Sequence, residues 1–529
     1  MFRTTAIVLL ILSLAACSGG MSAGALSAST TMPAPTRKSP PAYLPSPGTA
    51  REFQFAACRF VLPDDIVEGE DVECGYLTVE ERRDLKSPQQ ARLIRLAVAI
   101  FHPPGGATRP DAVIYLSGGP GASALELIRF QFDLMSLPVF ATGRDLVMFD
   151  QRGVGLSQPA LDCPAFDELS LELLDRRVDG HQVDDQEIAN LFLKTLAACQ
   201  EELSQVADLS AYNSSASAAD VNDLRQALGY QQVNLWGGSY GTRLALEVMR
   251  RYPQGLRSAV LDAVYPPDVD LYLEAPTNFN RALERLFEAC ADNSVCSQAY
   301  PDLREVFFET VARLDVNPIL SEIENPFTGE VYEAWMNGNT LLALTFQLLY
   351  DSQIRYLIPQ YIYAASQGDY TAFNRARGTL MGLMGVSSRG MMFSVQCHEE
   401  LAFSSPEEFR RTMARYPELG AMYESALLGG LAYRACDTWG AGQADASANQ
   451  AVYSDIPTLL MSGEFDPITP PEWGRHAAET LENGYFYEYP GIGHGASAVE
   501  GCPSQMMVAF LKDPNTAPDD GCIAEMIKR

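Results

Sequence analysis

The sequence predicts an α/β fold, a mostly parallel, doubly wound sheet with a long, mainly helical insertion after the sixth strand. Three observations carry this. Strand-length apolar runs alternate with helical patterns, as in sheets whose parallel strands are joined by crossover helices. Two of the runs, Asp111–Leu116 and Val233–Trp236, empty directly into glycine-rich turns, the place where such sheets carry their chemistry. The alternation stops after Ser258–Val264, gives way to helical segments, and resumes only at Pro457.

Taken in order, residues 1–16 read as a cleaved export signal. Arg3 precedes the apolar run Ala6–Leu12, which is too short to span a bilayer permanently, and Leu14-Ala15-Ala16 follows. Small residues directly ahead of Cys17 resemble the lipobox of bacterial lipoproteins. That resemblance implies lipidation of Cys17, membrane contact through the lipid only and, because Ser18 follows rather than aspartate, the outer membrane of a Gram-negative host. A plain signal peptide with an incidental cysteine is the competing reading. Residues 17–50, with Pro33, Pro35, Pro40, Pro41, Pro45 and Pro47, bury too little apolar surface to offset their ordering entropy and are expected to form a disordered tether.

Residues 51–265 form the first part of the core. Gly75–Glu80 and Leu93–Phe101 are strand-like, Asp111–Leu116 is an unbroken apolar strand, and Arg144–Phe149 is another. The loop Ser117-Gly118-Gly119-Pro120-Gly121 lacks both the Gly-Lys-Ser/Thr ending of a P-loop and the spacing of a dinucleotide site. Asp150 and Arg152 are expected to pair or to support the neighbouring loops. Pro159–Leu209 is helical and acidic, and Ser217 caps a helix that Gly229 ends. Within the insertion, residues 266–449, the stretches Phe279–Ala289, Leu303–Leu314, Asn339–Tyr350 and Pro406–Tyr416 look helical. Residues 450–529 return to the core with a strand at Pro457–Gly463, a helix at Trp473–Leu481 and a strand at Tyr485–Tyr489.

A chain of 529 residues, 47% hydrophobic and 20% charged, is long enough for a large core and a second domain. Its net charge of −29 argues against nucleic-acid binding, which needs clustered Lys and Arg, and suits solubility or cationic substrates. Of eleven cysteines, ten remain once Cys17 is set aside, an even number suited to an oxidising compartment. They fall as neighbours, Cys58 with Cys74, Cys163 with Cys199, Cys290 with Cys296, Cys397 with Cys436 and Cys502 with Cys522, and these five disulfides are expected. With no Cys-x-x-Cys spacing and five histidines, neither a metal site nor a cofactor is called for.

The chemistry centres on Gly237-Gly238-Ser239-Tyr240-Gly241, a Gly-x-Ser-x-Gly between an apolar strand and a helical pattern. This reads as the nucleophile elbow of an α/β-hydrolase, in which Ser239 would be lifted clear of the sheet while Gly237 and Gly241 leave room for the turn. The helix beginning there offers the Tyr240 N–H to a developing oxyanion, and the loop after the third core strand supplies a second N–H, from Gly118 or, preferred, Gly119. A serine nucleophile needs a base and a carboxylate, which this fold supplies in the order Ser, acid, His. His494 lies after the last strand, whereas His102, His181, His398 and His476 do not. Asp466 follows the strand before it, with Glu464 and Asp262 as competitors.

Together, Ser117-Gly118-Gly119-Pro120-Gly121, Asp150-Gln151-Arg152-Gly153-Val154-Gly155-Leu156-Ser157, the Ser239 elbow, Asp466 and Gly493-His494 resemble the proline iminopeptidase and tripeptidyl aminopeptidase branch of α/β-hydrolases over residues 55 to 525. Ser117 departs from the histidine usual in proline iminopeptidases and favours the secreted tripeptidyl aminopeptidase side. The resemblance implies an exported serine exopeptidase that acts on peptides with a free N-terminus through an acyl-enzyme. It places an acceptor for the substrate ammonium at Glu399, in Ser394-Val395-Gln396-Cys397-His398-Glu399-Glu400; a surface carboxylate is the plainer reading of that residue. A carboxylesterase using the same triad on neutral esters is the alternative function.

Overall fold

The computed structural model describes residues 50–83, 92–178, 181–425 and 429–526. The signal, Cys17 and the tether up to residue 49 lie outside the described residues. Nine strands form the main sheet: β1 (Phe53–Phe55), β2 (Val72–Glu80), β3 (Leu93–Phe101), β4 (Ala112–Leu116), β5 (Leu146–Phe149), β6 (Val233–Gly238), β7 (Leu256–Asp262), β8 (Thr458–Gly463) and β9 (Gly484–Tyr489). Their spatial order is β1-β2-β3-β5-β4-β6-β7-β8-β9. The pairings β1/β2, β2/β3 and β3/β5 are antiparallel, and all those beyond β5 are parallel. This is the α/β-hydrolase fold.

Side-chain alternation along the strands feeds two cores. In β6, Leu235 joins the cluster on one face and Trp236 the cluster on the other; in β8, Leu460 and Leu459 divide likewise. Helix α3 (Tyr240–Arg251) contributes Leu244, Leu246 and Val248 to the first face. Helix α1 (Ala124–Phe140) brings Leu125 and Ile128 to the second, with Met506 and Phe510 from the C-terminal helix Cys502–Lys512. Helices therefore cover both faces, as parallel strands buried on both sides require. The register aligns the carboxyl ends of the strands: Leu116 lies opposite Gly237, Gly238 opposite Asp262, Asp262 opposite Met461, and Gly463 opposite Tyr489.

Between β7 and β8 the chain builds the cap, including α4 (Leu271–Asp292), α5 (Gly338–Tyr350) and α6 (Arg389–Glu399). It also contains an antiparallel hairpin, Ile319–Glu324 with Val331–Met336, which the expectation of a mainly helical cap does not name. The cap does not stand apart from the sheet. Phe279, Leu283, Phe346 and Leu349 share one buried cluster with Phe465, Ile468 and Trp473, which follow β8. All five expected cysteine pairs form disulfides, consistent with an oxidising, exported setting. One local expectation is corrected: the helix expected from Ser217, α2 (Ser214–Ala227), starts earlier, at Ser214, because the Asn213 side chain accepts the Ala216 N–H at 2.9 Å. Among the described residues no helix is long and apolar enough to cross a membrane.

Candidate active site

The turn after β6 places Ser239 at φ 54° and ψ −123°, a conformation that costs an L-residue roughly 1–3 kcal/mol and persists only where the surroundings impose it. Several contacts impose it. The Ser239 N–H donates to Asp262 O at 2.9 Å, while its carbonyl accepts both the N–H and the hydroxyl of Thr242 at 2.8 and 2.7 Å. Thr242 Oγ1 in turn accepts the Tyr265 N–H at 2.7 Å. A Cβ on Gly237 would lie 2.4 Å from Gly241 O, and one on Gly241 only 1.9 Å from Leu116 O in β4. Gly241→Ala is therefore expected to destabilise the fold by about 3 kcal/mol or more and to remove activity, as measured by urea denaturation and turnover. Because Tyr240 opens α3, its N–H belongs to the first turn, whose amides have no intrahelical acceptor.

The loop after β4 is held from two sides. Gln151 donates from Nε2 to Ser117 O at 2.9 Å, and the Asp150 carboxylate accepts the Ser123 hydroxyl at 2.9 Å, the Leu125 N–H at 3.2 Å and the Leu156 N–H at 2.8 Å. From the cap, Ser388 N–H donates to Gly121 O at 2.8 Å and Ser123 N–H to Val386 O at 3.1 Å. Gly119 has a φ of 114°, and a Cβ there would press on the amides of Gly121 and Ala122 at 2.7 and 2.9 Å. Asp150 and Arg152 do not pair with each other. Arg152 is fully buried and bidentate to Asp220 at 2.7 and 2.8 Å, with further bonds to Glu81 O and Ala211 O.

Burial pushes Asp150 up to about 7 against its three donors. Since its folded value lies above the unfolded one of about 4, the folded state holds the extra proton and stability falls as pH rises between those limits. An Asp150→Asn variant, lacking that titration, is expected to show a shallower decline of Tm between pH 4 and 7 than the parent.

After β8 and β9, Asp466 and His494 come together. His494 Nδ1 lies 2.7 Å from Asp466 Oδ2, and both residues are 0% exposed, with Ser239 at 2%. The carboxylate also accepts the N–H groups of Ile468 and Thr469, each at 2.9 Å, and the Thr469 hydroxyl at 2.7 Å. This arrangement directs Nδ1–H to the acid and leaves proton acceptance to Nε2. Cap residues that no local motif marks hold both loops. Arg281 of α4 donates to Glu464 O and Asp466 O at 2.9 and 2.7 Å, and Asn278 to Ile468 O at 3.0 Å. His494 N–H donates to Tyr350 O at 3.0 Å, Gly493 N–H to Ser352 Oγ at 3.0 Å, and the Tyr350 ring lies 4.7 Å from the imidazole. A Cβ on Gly463 would fall 1.8 Å from Gly493 O, so the two loops touch at glycine.

The competing residues are engaged elsewhere. Glu464 pairs with Arg285 and accepts the Gly491 N–H at 2.9 Å. His102 bonds Asp145, His476 bonds Asp268 and His398 bonds Ala441 O, while His181 is exposed in a two-residue strand. Glu399 is not a surface carboxylate: it is 3% exposed, lies 3.5 Å from Arg243 Nε, and accepts both the N–H and the hydroxyl of Ser214. Ser214 Oγ in turn meets Tyr240 OH at 2.7 Å. Its neighbour Glu400, 3.0 Å from Arg243 Nη1, is pushed up to about 7 by burial. Two buried carboxylates thus share one guanidinium. Among the described residues, no group of three or more His, Cys, Asp or Glu could hold a metal ion.

Comparison with known proteins identifies the same fold family. The family model for the alpha/beta hydrolase fold matches residues 111–500. YuaR of Escherichia coli is 27% identical over 57% of this chain and 58% of its own length. Serine protease Hip1 of Mycobacterium tuberculosis is 27% identical over 48% of each chain. The tripeptidyl aminopeptidase of Streptomyces coelicolor is 32% identical over 38% of this chain and 36% of its own. The chain therefore spans between about a third and three fifths of the length of these relatives.

Proposed function

The chain belongs to the α/β-hydrolase family, and on that premise we propose that it is an exported serine exopeptidase that removes N-terminal residues or short peptides. Ser239 attacks the scissile carbonyl while His494 takes its proton, oriented through Nδ1 by Asp466, and the amides of Tyr240 and Gly119 receive the oxyanion. The leaving amine takes the proton from His494, and water then hydrolyses the acyl-enzyme with His494 again as base. The observation that carries the reading is the fully buried Asp466–His494 pair at 2.7 Å, on loops level with the end of the strand that delivers Ser239. A serine protease and a tripeptidyl aminopeptidase among the relatives support the peptidase side.

The choice of a free N-terminus is assigned to the acidic end of α6. There Glu399 lies 3.5 Å from Arg243 Nε, with Glu400 beside it and 3.0 Å from Nη1 of the same guanidinium. A tripeptidyl amide with a free amine is expected to be cleaved with kcat/KM at least about 30-fold above its N-acetylated form, because acetylation removes the charge such carboxylates bind. Equal rates on both substrates would overturn the exopeptidase reading and favour a carboxylesterase. Lipidation of Cys17 completes the reading, and persistence of metabolic lipid labelling in Cys17→Ser would refute it.

A further inference from the structure

Asp262 ends β7 and is the acid that Asp466 displaces in the role of triad carboxylate, yet it is 3% exposed and fully engaged. Its carbonyl accepts the Ser239 N–H at 2.9 Å. Its carboxylate accepts the Ala496 N–H at 2.8 Å on one oxygen, and on the other the Ser497 N–H at 2.7 Å and the Ser497 hydroxyl. Both oxygens accept and neither donates, which is the bonding of an ionised carboxylate. A single residue therefore grips the backbone of Ser239 with its main chain and, with its side chain, the segment that begins two residues after His494. Ser497 extends the grip, since its hydroxyl also accepts the Trp236 Nε1–H at 3.1 Å from β6.

We propose that Asp262 is a positioning residue that sets His494 against Ser239 and holds a fixed negative charge beside the imidazole. This rests on the serine-hydrolase reading above. An ionised carboxylate buried in a dry interior can persist only with donors of this number, and the three it has come from the base loop. Burial raises the Asp262 pKa, while those donors and the positive charge His494 can carry lower it. Tyr489 at the end of β9 also interacts with the Asp262 charge. His494 itself faces Asp466 and the ring of Tyr350.

A charge beside the imidazole changes the pH dependence of His494, which a packing role would not. Removing the charge with Asp262→Asn destabilises the imidazolium, so the midpoint at which His494 becomes a competent base moves to lower pH. Removing one donor with Ser497→Ala leaves the Asp262 charge less offset and moves the midpoint up. The test is the rate of covalent labelling by an alkyl fluorophosphonate across pH, on the full chain, with folding followed by thermal denaturation. This reports on Ser239 and His494 without needing the peptide substrate.

Wild-type protein that does not label at Ser239 refutes the serine-hydrolase reading and says nothing of Asp262 in particular. With labelling established, folded Asp262→Asn is expected to react on the order of 10²-fold more slowly, as about 1 Å of misplacement does elsewhere, with its midpoint lowered. A wild-type rate, or a slower rate with the midpoint unmoved or raised, overturns the proposal. Should Asp262→Asn fail to fold, Ser497→Ala decides: a raised midpoint with a several-fold slower rate is expected, and an unmoved or lowered midpoint overturns it.

Discussion

Ser239→Ala is expected to lower turnover by about 10⁶-fold while leaving the fold and thermal stability close to those of the parent. Loss of a serine nucleophile costs that much in other hydrolases, because the remaining contacts bind substrate without supplying the attacking oxygen. The substitution removes one oxygen. The backbone bonds that fix the turn, from Ser239 N–H to Asp262 O and from Thr242 to Ser239 O, are unaffected. Comparing kcat/KM of purified variant and parent on a free-amine tripeptidyl amide measures the loss. A variant within tenfold of the parent would mean that Ser239 is not the nucleophile.

The second large effect is on stability. Arg243 is 1% exposed and holds Glu399 and Glu400 at 3.5 and 3.0 Å. It also donates to Pro267 O and Ala448 O at 3.2 and 3.1 Å and stacks 5.2 Å from the Tyr265 ring. Arg243→Met keeps most of the volume and strands two buried carboxylates, so the variant is expected to lose about 3–5 kcal/mol in urea denaturation at neutral pH. The sign of its pH dependence follows from Glu400. That carboxyl is already pushed up to about 7 in the folded state, above its unfolded value near 4.5, so it costs stability as pH rises between those limits. Without Arg243 the folded value rises further. The deficit of the variant should therefore be smaller at pH 5 than at pH 8, and an equal deficit at both would refute this account of the cluster.

What could be read from the sequence follows the range of the forces involved. The Ser239 turn was legible because it is local: one strand, two glycines that nothing larger can replace, and a helix start. Asp466 and His494 were legible because chain order in this fold is constrained, even though 28 residues separate them. The cysteine pairs were legible because neighbours in sequence were also neighbours in space. By contrast, nothing local marks Tyr350 and Ser352 as the residues that hold the base loop, since Ser352 reaches Gly493 across 141 residues.

Asp262 was visible only as a rival acid. Its position at a strand end is the same for either role, and only the three donors from the base loop distinguish them. The cap hairpin is hard to read from sequence because most of Ile319–Glu324 and Val331–Met336 is exposed or only partly buried, so no apolar run announces it. The sequence does not single out the cap of α2, because Asn213, Ser214, Ser215 and Ser217 all carry capping side chains and tertiary contacts select among them. Only the family resemblance points to Glu399, and nothing in the segment that contains it foreshadows its contacts with Arg243 and Ser214.

The most direct test of the central assignment is the site of covalent modification. After reaction of the whole protein with a peptidyl phosphonate bearing a free N-terminus, peptide mapping by mass spectrometry is expected to find a single adduct, on Ser239. It should form far more slowly when His494 is replaced by alanine. An adduct on any other residue, or labelling that proceeds undiminished in Ser239→Ala, would contradict the account.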